Sequence, residues 1–145
     1  MRRLFSWNGV YVNWQIQQIL RRRRVAETGA IPAGRGGALS VCLVYPNQYP
    51  VAMSSLGFQT VYKLFNDQPA IVCERAFLPD REELELYEKS GETLVSLENE
   101  RQLTDFDELA FSVSFEPDFV NTPKLLRLAR IPELISPRTY SDSRL

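Results

Sequence analysis

Residues 45–67 read YPNQYPVAMSSLGFQTVYKLFND and follow an apolar run, SVCLVYP, at residues 40–46. The run is apolar at four consecutive positions, which is typical of a central parallel strand that helices cover on both faces. Prolines and an asparagine then interrupt the pattern, and an apolar stripe with helical spacing begins at Leu56, with Ser54 or Ser55 as the predicted N-cap. A strand, an elaborate loop and a helix in this order are typical of nucleotide and cofactor folds.

The segments after this stretch alternate between strands and helices. The predicted elements are a strand at 70–79, an acidic helix from Asp80 to Gly91, a pair of short strands or a strand and a turn at 93–103, a buried strand at 108–115, a helix starting near Thr122 with Pro123 at its first position, and a short strand at 131–136. Such alternation predicts a doubly wound parallel sheet with right-handed crossovers, in which 40–46 and 108–115 lie side by side. A further helix and a fifth strand would complete this sheet. We therefore expect a sheet that is incomplete at its C-terminal edge and an exposed edge that favours self-association.

The first 39 residues differ from the rest and are predicted to form an N-terminal extension before a domain at 40–145. We expect a helix from Asn13 to Glu27, followed by a glycine-rich linker at 29–39. Arginines 21–24 lie in this helix. A solvated helix end is the favoured interpretation, and a contact to nucleic acid or lipid headgroups is the alternative. The linker is not predicted to bind phosphate, because its glycines precede a strand instead of following one.

The composition excludes several classes of function. The chain has no histidine, which removes Ser-His-Asp and Cys-His catalysis and the commonest metal ligand. The 17 basic and 18 acidic residues nearly balance, which argues against a surface built mainly for nucleic acid. Cys42 and Cys73 are predicted to be buried free thiols in a reducing compartment, with a disulfide as the alternative. No segment approaches roughly 20 apolar residues and no secretory signal is visible, so a cytoplasmic protein without a membrane span is expected.

The predicted site is the crevice beyond the carboxyl ends of the first and third strands, where open α/β sheets bind ligands. The candidate cofactor-binding residues are Asn47, Tyr49, Ser54, Ser55, Gly57, Ser114, Phe115 and Glu116. Glu116 is the one carboxylate at a strand end that could serve as a base, but a solvated loop or helix cap is the favoured interpretation. Asp118 is interpreted as a charge at a helix N-terminus. No catalytic residue and no metal ligand is predicted, so a binding crevice is favoured over a reaction centre.

Three segments resemble the N-terminal region of a family of bacterial radical SAM proteins: GGALSVCLVYPNQYPVAMSSLGFQTVYKLFND, CERAFLPD and LTDFDELAFSVSFEPDFVN. In that family a cobalamin-binding-like domain precedes the radical SAM barrel. The similarity spans residues 36–140, and its most specific parts are 45–66 and 106–121. The resemblance implies the three-layer flavodoxin-like fold that cobalamin-binding domains share, with the ligand crevice between the first and third strands.

The resemblance also implies which cofactors are involved. Cobalamin is the leading candidate ligand of the crevice by resemblance, without a protein imidazole on the cobalt because the chain has no histidine. A domain that has kept the fold and lost the cofactor is the alternative. The barrel of the family holds a [4Fe–4S] cluster on three cysteines with CxxxCxxC spacing and cleaves S-adenosylmethionine, and this motif is absent from the sequence. The resemblance therefore implies a truncated N-terminal domain, which binds a cofactor or acts as a scaffold for a barrel in cis and has no complete active site of its own.

Two other functions stay open. A non-catalytic interaction module would use the arginine-rich N-terminal helix or the acidic helix at 80–92 as its contact surface. A small flavodoxin-like enzyme ranks lowest, because PNQYP is poorer in serine, threonine and glycine than a phosphate-binding loop usually is.

Overall fold

The computed structural model describes residues 12–29 and 37–133 of the chain. Within these ranges the helices and strands are, in chain order, α1 (Trp14–Ala26), β1 (Leu39–Tyr45), α2 (Tyr49–Ser54), α3 (Leu56–Asn66), β2 (Ile71–Phe77), α4 (Arg81–Ser90), a 3₁₀ turn (Leu103–Asp105), β3 (Glu108–Phe111) and α5 (Glu116–Leu128). No helix in these ranges is long and apolar enough to cross a membrane.

The described strands form one parallel sheet in the order β2-β1-β3. Cys42 of β1 lies opposite Glu74 of β2 on one side and opposite Leu109 of β3 on the other. This arrangement confirms that 40–46 and 108–115 are parallel neighbours. The described residues thus form a mixed α/β fold with a three-stranded parallel sheet flanked by helices, consistent with the predicted flavodoxin-like order and incomplete sheet.

The hydrophobic core is centred on β1, in which every residue from Val41 to Tyr45 is buried. This burial is expected of a central strand with neighbours on both sides. Val12, Ile16 and Leu20 belong to the same buried cluster, so α1 packs on the α/β unit. The domain boundary at residue 39 stays a prediction, because residues 30–36 of the expected linker lie outside the described ranges.

Local signals placed several elements correctly. The helix expected at 13–27 is α1, and the Asn13 side chain accepts a hydrogen bond from the backbone N–H of Gln15 at its start. The Asp80 side chain caps α4 in a capping box, and Gly91 ends that helix with a φ of 69°, a left-handed conformation that glycine adopts at little cost. Both cysteines are buried and free, as predicted.

The segment between β1 and α3 is more regular than the predicted loop. Residues 49–54 form the short helix α2, with Pro50 in its first turn. A proline is tolerated there because the first N–H groups of a helix have no intrahelical acceptor. Of the two predicted N-caps, Ser55 fills the role: its hydroxyl accepts the Phe58 N–H at 3.3 Å.

The third strand is shorter and more exposed than predicted. The buried strand expected at 108–115 ends at Phe111, and its residues are half-buried or exposed. Phe111 lies opposite Val44, and β1 ends one residue later. After one further bond, from the Ser112 N–H to the Val44 carbonyl, residues 113–115 have no strand to pair with.

The last helix starts earlier than predicted. Helix α5 begins at Glu116 instead of near Thr122, with Pro117 in the first turn and Pro123 in its interior. Pro123 costs the helix one hydrogen bond, to the carbonyl of Phe119, without ending it. Pro117 and the acidic Asp118, both in the first turn, are the sequence features that indicate where this helix begins.

Two predicted strand segments differ from the structure. Residues 93–103 do not form paired strands, and a single antiparallel bridge between Val95 and Gln102 is what the structure contains there. Residues 131–133 are not in a strand, and the rest of the short strand predicted at 131–136 lies outside the described ranges.

Candidate functional site

The crevice beyond β1 and β3 is bridged by two amide side chains. The Asn47 Nδ2 donates to Asp118 Oδ1 at 3.1 Å, and the Asn121 Nδ2 donates to the Pro46 carbonyl at 3.0 Å. Asn47 and Pro46 follow β1, whereas Asp118 and Asn121 lie in the first two turns of α5. The two contacts therefore fasten the loop after β1 to the start of the helix that follows β3.

Asp118 is the centre of this crevice and is fully buried. Its Oδ2 accepts hydrogen bonds from the backbone N–H groups of Ser114 and Phe115, at 3.3 and 3.1 Å. Helix N-termini expose N–H groups that commonly bind anionic ligands. In this chain the carboxylate of Asp118 binds the N–H of Phe115, the N-cap residue of α5, and the N–H of Ser114 before it.

The predicted site residues divide into two groups. Asn47, Ser114 and Phe115 meet through Asp118. The others lie apart from that contact: Tyr49 donates to Glu27, Ser54 donates to the Val51 carbonyl, Ser55 caps α3, Gly57 lies exposed in the first turn of α3, and Glu116 is exposed at the start of α5. The interpretation of Asp118 as a charge at a helix N-terminus agrees with its position, but its burial and its contact with Asn47 had no local signal.

A group of aromatic rings joins β1, α3 and β2. The Tyr45 ring packs edge-on against Phe58 with centroids 5.1 Å apart, and Phe58 in turn contacts Phe77 at 5.7 Å. The Tyr45 hydroxyl is buried and has no hydrogen-bond partner among the described residues. A buried hydroxyl without a hydrogen-bond partner lowers the stability of the fold. Among Tyr45, Phe58 and Phe77, the Tyr45 hydroxyl is the polar side-chain group that can still form a hydrogen bond.

A second polar cluster, which sequence reasoning missed, is built on Arg75 in β2. The Arg75 side chain is 5% exposed, and its Nε donates to Glu98 Oε1 at 2.7 Å while its Nη2 donates to Glu27 Oε2 at 2.8 Å. The guanidinium also lies over the Tyr62 ring, 4.4 Å from the ring centre. Glu27 follows α1 and Glu98 lies between α4 and β3, so one guanidinium joins three distant parts of the chain.

Glu74, the preceding residue of β2, points to the opposite face and has its own partners. Its carboxylate accepts the Ser96 hydroxyl at 2.5 Å and the Asn99 amide at 2.9 Å, and the guanidinium of Arg101 lies 3.6 Å away. A Glu-Arg pair inside an otherwise apolar strand was the available signal. Buried charges require partners, so CER at 73–75 could have indicated a polar network, although the sequence alone does not identify its members.

Three titratable groups in and around the Arg75 cluster have raised pKa values. Burial raises the pKa of Glu98, against the lowering effect of Arg75. Burial, with the charge of Glu98, raises the pKa of Cys73 to about 12. Burial and the hydrogen bond to Glu27 raise the pKa of Tyr49 to about 12. The thiol and the phenol therefore stay protonated at neutral pH, which is the opposite of an activated nucleophile.

The arginine-rich helix α1 and the acidic helix α4, which were considered as contact surfaces of an interaction module, bind each other. Arg23 of α1 donates to both carboxylate oxygens of Glu83 in α4, at 2.8 and 2.7 Å. Arg24 donates to the Leu97 carbonyl and to Glu100. Half of the arginine run is thus used inside the protein, and Arg21 and Arg22 are the exposed pair.

Residues 57–144 match the family described as radical SAM proteins, N-terminal, which is more than half of the chain. The chain belongs to this family. The match includes β2, β3 and α5, whereas β1 and α2 precede it. No curated protein and no solved structure matches the chain. Within 12–29 and 37–133, no group of three or more cysteine, aspartate or glutamate side chains is arranged to hold a metal ion.

Proposed function

We propose that this chain is the N-terminal domain of a radical SAM protein and serves as a binding or scaffolding module for a radical SAM domain in the same polypeptide. The match of residues 57–144 to the N-terminal region of that family carries the proposal. The site geometry supports it, because the polar groups of the crevice bind one another and the buried charges are paired. Neither cluster contains an activated nucleophile.

The proposal assigns the redox chemistry to the other domain. A [4Fe–4S] cluster on three cysteines, in the CxxxCxxC spacing of that family, would bind and cleave S-adenosylmethionine there. The two cysteines of this chain are Cys42 in β1 and Cys73 in β2, and both thiols are buried. Buried thiols with raised pKa values are poor cluster ligands, since a ligand must be a thiolate.

The test uses the polypeptide that carries this region together with its radical SAM domain, reconstituted with iron and sulfide without oxygen. The Cys42→Ala/Cys73→Ala variant is expected to keep the cluster absorbance and the formation of 5′-deoxyadenosine from S-adenosylmethionine. Replacing the CxxxCxxC cysteines by alanine is the matched loss-of-cluster control. Loss of the cluster in the Cys42/Cys73 variant, with the fold intact by circular dichroism, would contradict the proposal.

Cobalamin binding in the crevice is the finer form of the proposal. The strand order supports it, because the crevice beyond adjacent β1 and β3 is where such sheets bind ligands. Bound cobalamin would supply radical chemistry. The residues present fit such a large ligand only if the hydrogen bond between Asn47 and Asp118 opens.

Titration with hydroxocobalamin tests this finer form. Binding would give a saturable change in the visible spectrum and a higher melting temperature. Because Asn47 closes the crevice, Asn47→Ala should bind more tightly than the unchanged chain. Thr60→Ala, which alters an exposed hydroxyl bonded to its own helix, is the matched control. A flat spectrum and an unchanged melting curve for all three proteins would refute the cofactor and leave the scaffolding role standing.

A further inference from the structure

The first two turns of α5 present an exposed apolar surface. Phe115, Phe119 and Val120, here called the α5 patch, are 63%, 65% and 66% exposed. Phe115 is the N-cap residue, with an extended backbone, and Phe119 and Val120 follow it in the first two turns of the helix. Single exposed apolar side chains are ordinary, but two phenylalanines and a valine exposed within six residues make the start of α5 a candidate interaction surface.

The α5 patch adjoins an unfinished side of the sheet. Strand β3 ends at Phe111, four residues before Phe115, and in the described residues it pairs with a strand on one side only. Its residues are half-buried or exposed, in contrast to the fully buried centre of β1. Among the described residues, the patch thus follows closely in the chain on a strand that has a single neighbour in the sheet.

We propose that the α5 patch is the docking surface for the radical SAM domain of the same polypeptide. This inference rests on the proposed function and adds where the contact lies. The partner surface has a stated chemistry: it is apolar opposite the two phenylalanines and carries a cation opposite Glu116, which is exposed at the edge of the patch. Asp118 is not available to such a cation, because it is buried and bonded within the crevice.

The length of chain after α5 favours this occupant. Helix α5 has 13 residues, which is about 20 Å. The described chain ends at Glu133, five residues after α5, and 134–145 can span up to about 40 Å when extended. That length is enough to return from the end of α5 to its beginning. A domain that follows residue 145 can therefore contact the patch without rearranging the sheet.

Hydroxyl-radical footprinting tests the contact directly, because it reports the exposure of individual side chains. The polypeptide that carries both domains is compared with the 145-residue chain. Labelling of Phe115 and Phe119 is expected to fall at least about fivefold in the longer protein, since the core of an interface excludes water. Leu56, which is 81% exposed on α3, should be labelled equally in both and serves as the internal control.

Paired variants separate docking from folding. Phe115→Ser/Phe119→Ser removes the patch, and serine at 115 also suits the N-cap position of α5, so the domain should still fold. Val25→Ser/Leu56→Ser removes two other exposed apolar residues, 77% and 81% exposed. Amide exchange in the first turns of α5 should be slower, by about tenfold, in the two-domain protein than in the 145-residue chain. The patch variant should abolish this difference, and the control variant should keep it.

The outcomes distinguish the inference from the proposed function. If the iron–sulfur cluster forms but Phe115 and Phe119 are labelled equally in both proteins, the docking surface is wrong and the proposed function stands. If the polypeptide has no radical SAM domain, the proposed function itself fails. If the labelling of the 145-residue chain falls as its own concentration rises, a second copy covers the patch and the docking inference is overturned.

Discussion

The two edges of the described sheet are finished in different ways. On the outer side of β2, the peptide N–H and C=O of Cys73 bond to the Asn66 side chain, at 3.1 and 3.2 Å. The N–H of Arg75 donates to Glu98 and its carbonyl accepts the Leu97 N–H, both at 2.7 Å. On the outer side of β3, no strand among the described residues pairs with the peptide groups.

This difference shows where the domain is self-sufficient. Unpaired edge groups are a template for association, and proteins usually cover them. The β2 edge is covered from within the chain by an amide, a carboxylate and a loop peptide, and the Arg75 guanidinium fastens α1 to the same edge through Glu27. Strand β3 is followed instead by the exposed Phe115 and Phe119 at the start of α5. We infer that β2 is the internal side of the domain and β3 the side that faces a partner.

The largest effect is expected when the covered edge loses its cation. Arg75→Met leaves Glu27 and Glu98 buried without their partner, and such a change typically costs about 3–5 kcal/mol of unfolding free energy. Urea denaturation of the 145-residue chain measures it. Lys63→Met is the matched control, because it breaks an exposed pair with Asp67 and should cost less than about 1 kcal/mol. Equal losses for the two variants would contradict the structural role of Arg75.

A smaller loss is expected at the crevice beside β3. Asp118→Ala removes the acceptor of one side-chain and two backbone donors, and should cost about 1–3 kcal/mol. Asn47→Ala removes one donor from a partly exposed position and should cost about 1 kcal/mol. Urea denaturation of both variants gives the order. A larger loss for Asn47→Ala than for Asp118→Ala would contradict this order. It would mean that the hydrogen bonds from Ser114 and Phe115 to Asp118 add little to stability.

The sequence predicted the parts of the molecule that local patterns determine. The apolar run of β1 and the Asp80 and Gly91 caps of α4 are local, and they placed a strand and a helix correctly. The strand order followed from alternation and the handedness rule. The partners of Arg75 lie 48 and 23 residues away, and Asn47 is 71 residues from Asp118, so no local pattern could join them. The end of β3 is set by the end of β1, which is also a tertiary effect.

The pH dependence of stability sharpens the account of the covered edge. Burial raises the pKa of Glu98 in the folded state above its ordinary value of 4.5. The folded state then binds a proton more tightly than the unfolded state, so the contribution of Glu98 is full below that value and is lost as pH rises through the folded pKa. The slope for one site is at most about 1.4 kcal/mol per pH unit. Glu98→Gln should reduce the slope of the unfolding free energy against pH, measured by urea denaturation above pH 4.5.

Asp107 provides a control of opposite sign for this experiment. Hydrogen bonds from the Ser40 backbone and hydroxyl lower the pKa of Asp107 below 3.8. Its contribution is therefore present above that value and is lost as pH falls through the folded pKa. Asp107→Asn should leave the dependence above pH 4.5 unchanged. If Glu98→Gln also leaves it unchanged, the burial of Glu98 does not determine how the covered edge responds to pH.

The smallest effect is expected on the open side. Phe119 is 65% exposed, so in the 145-residue chain Phe119→Ser should change the unfolding free energy by no more than about 0.5 kcal/mol. The same substitution in the two-domain protein should be more destabilising, because there the ring would be buried against the partner. A loss above 1 kcal/mol in the short chain, measured in urea, would place the ring inside this domain's own packing. The contrast between a self-sufficient β2 edge and a partner-facing β3 side would then fail.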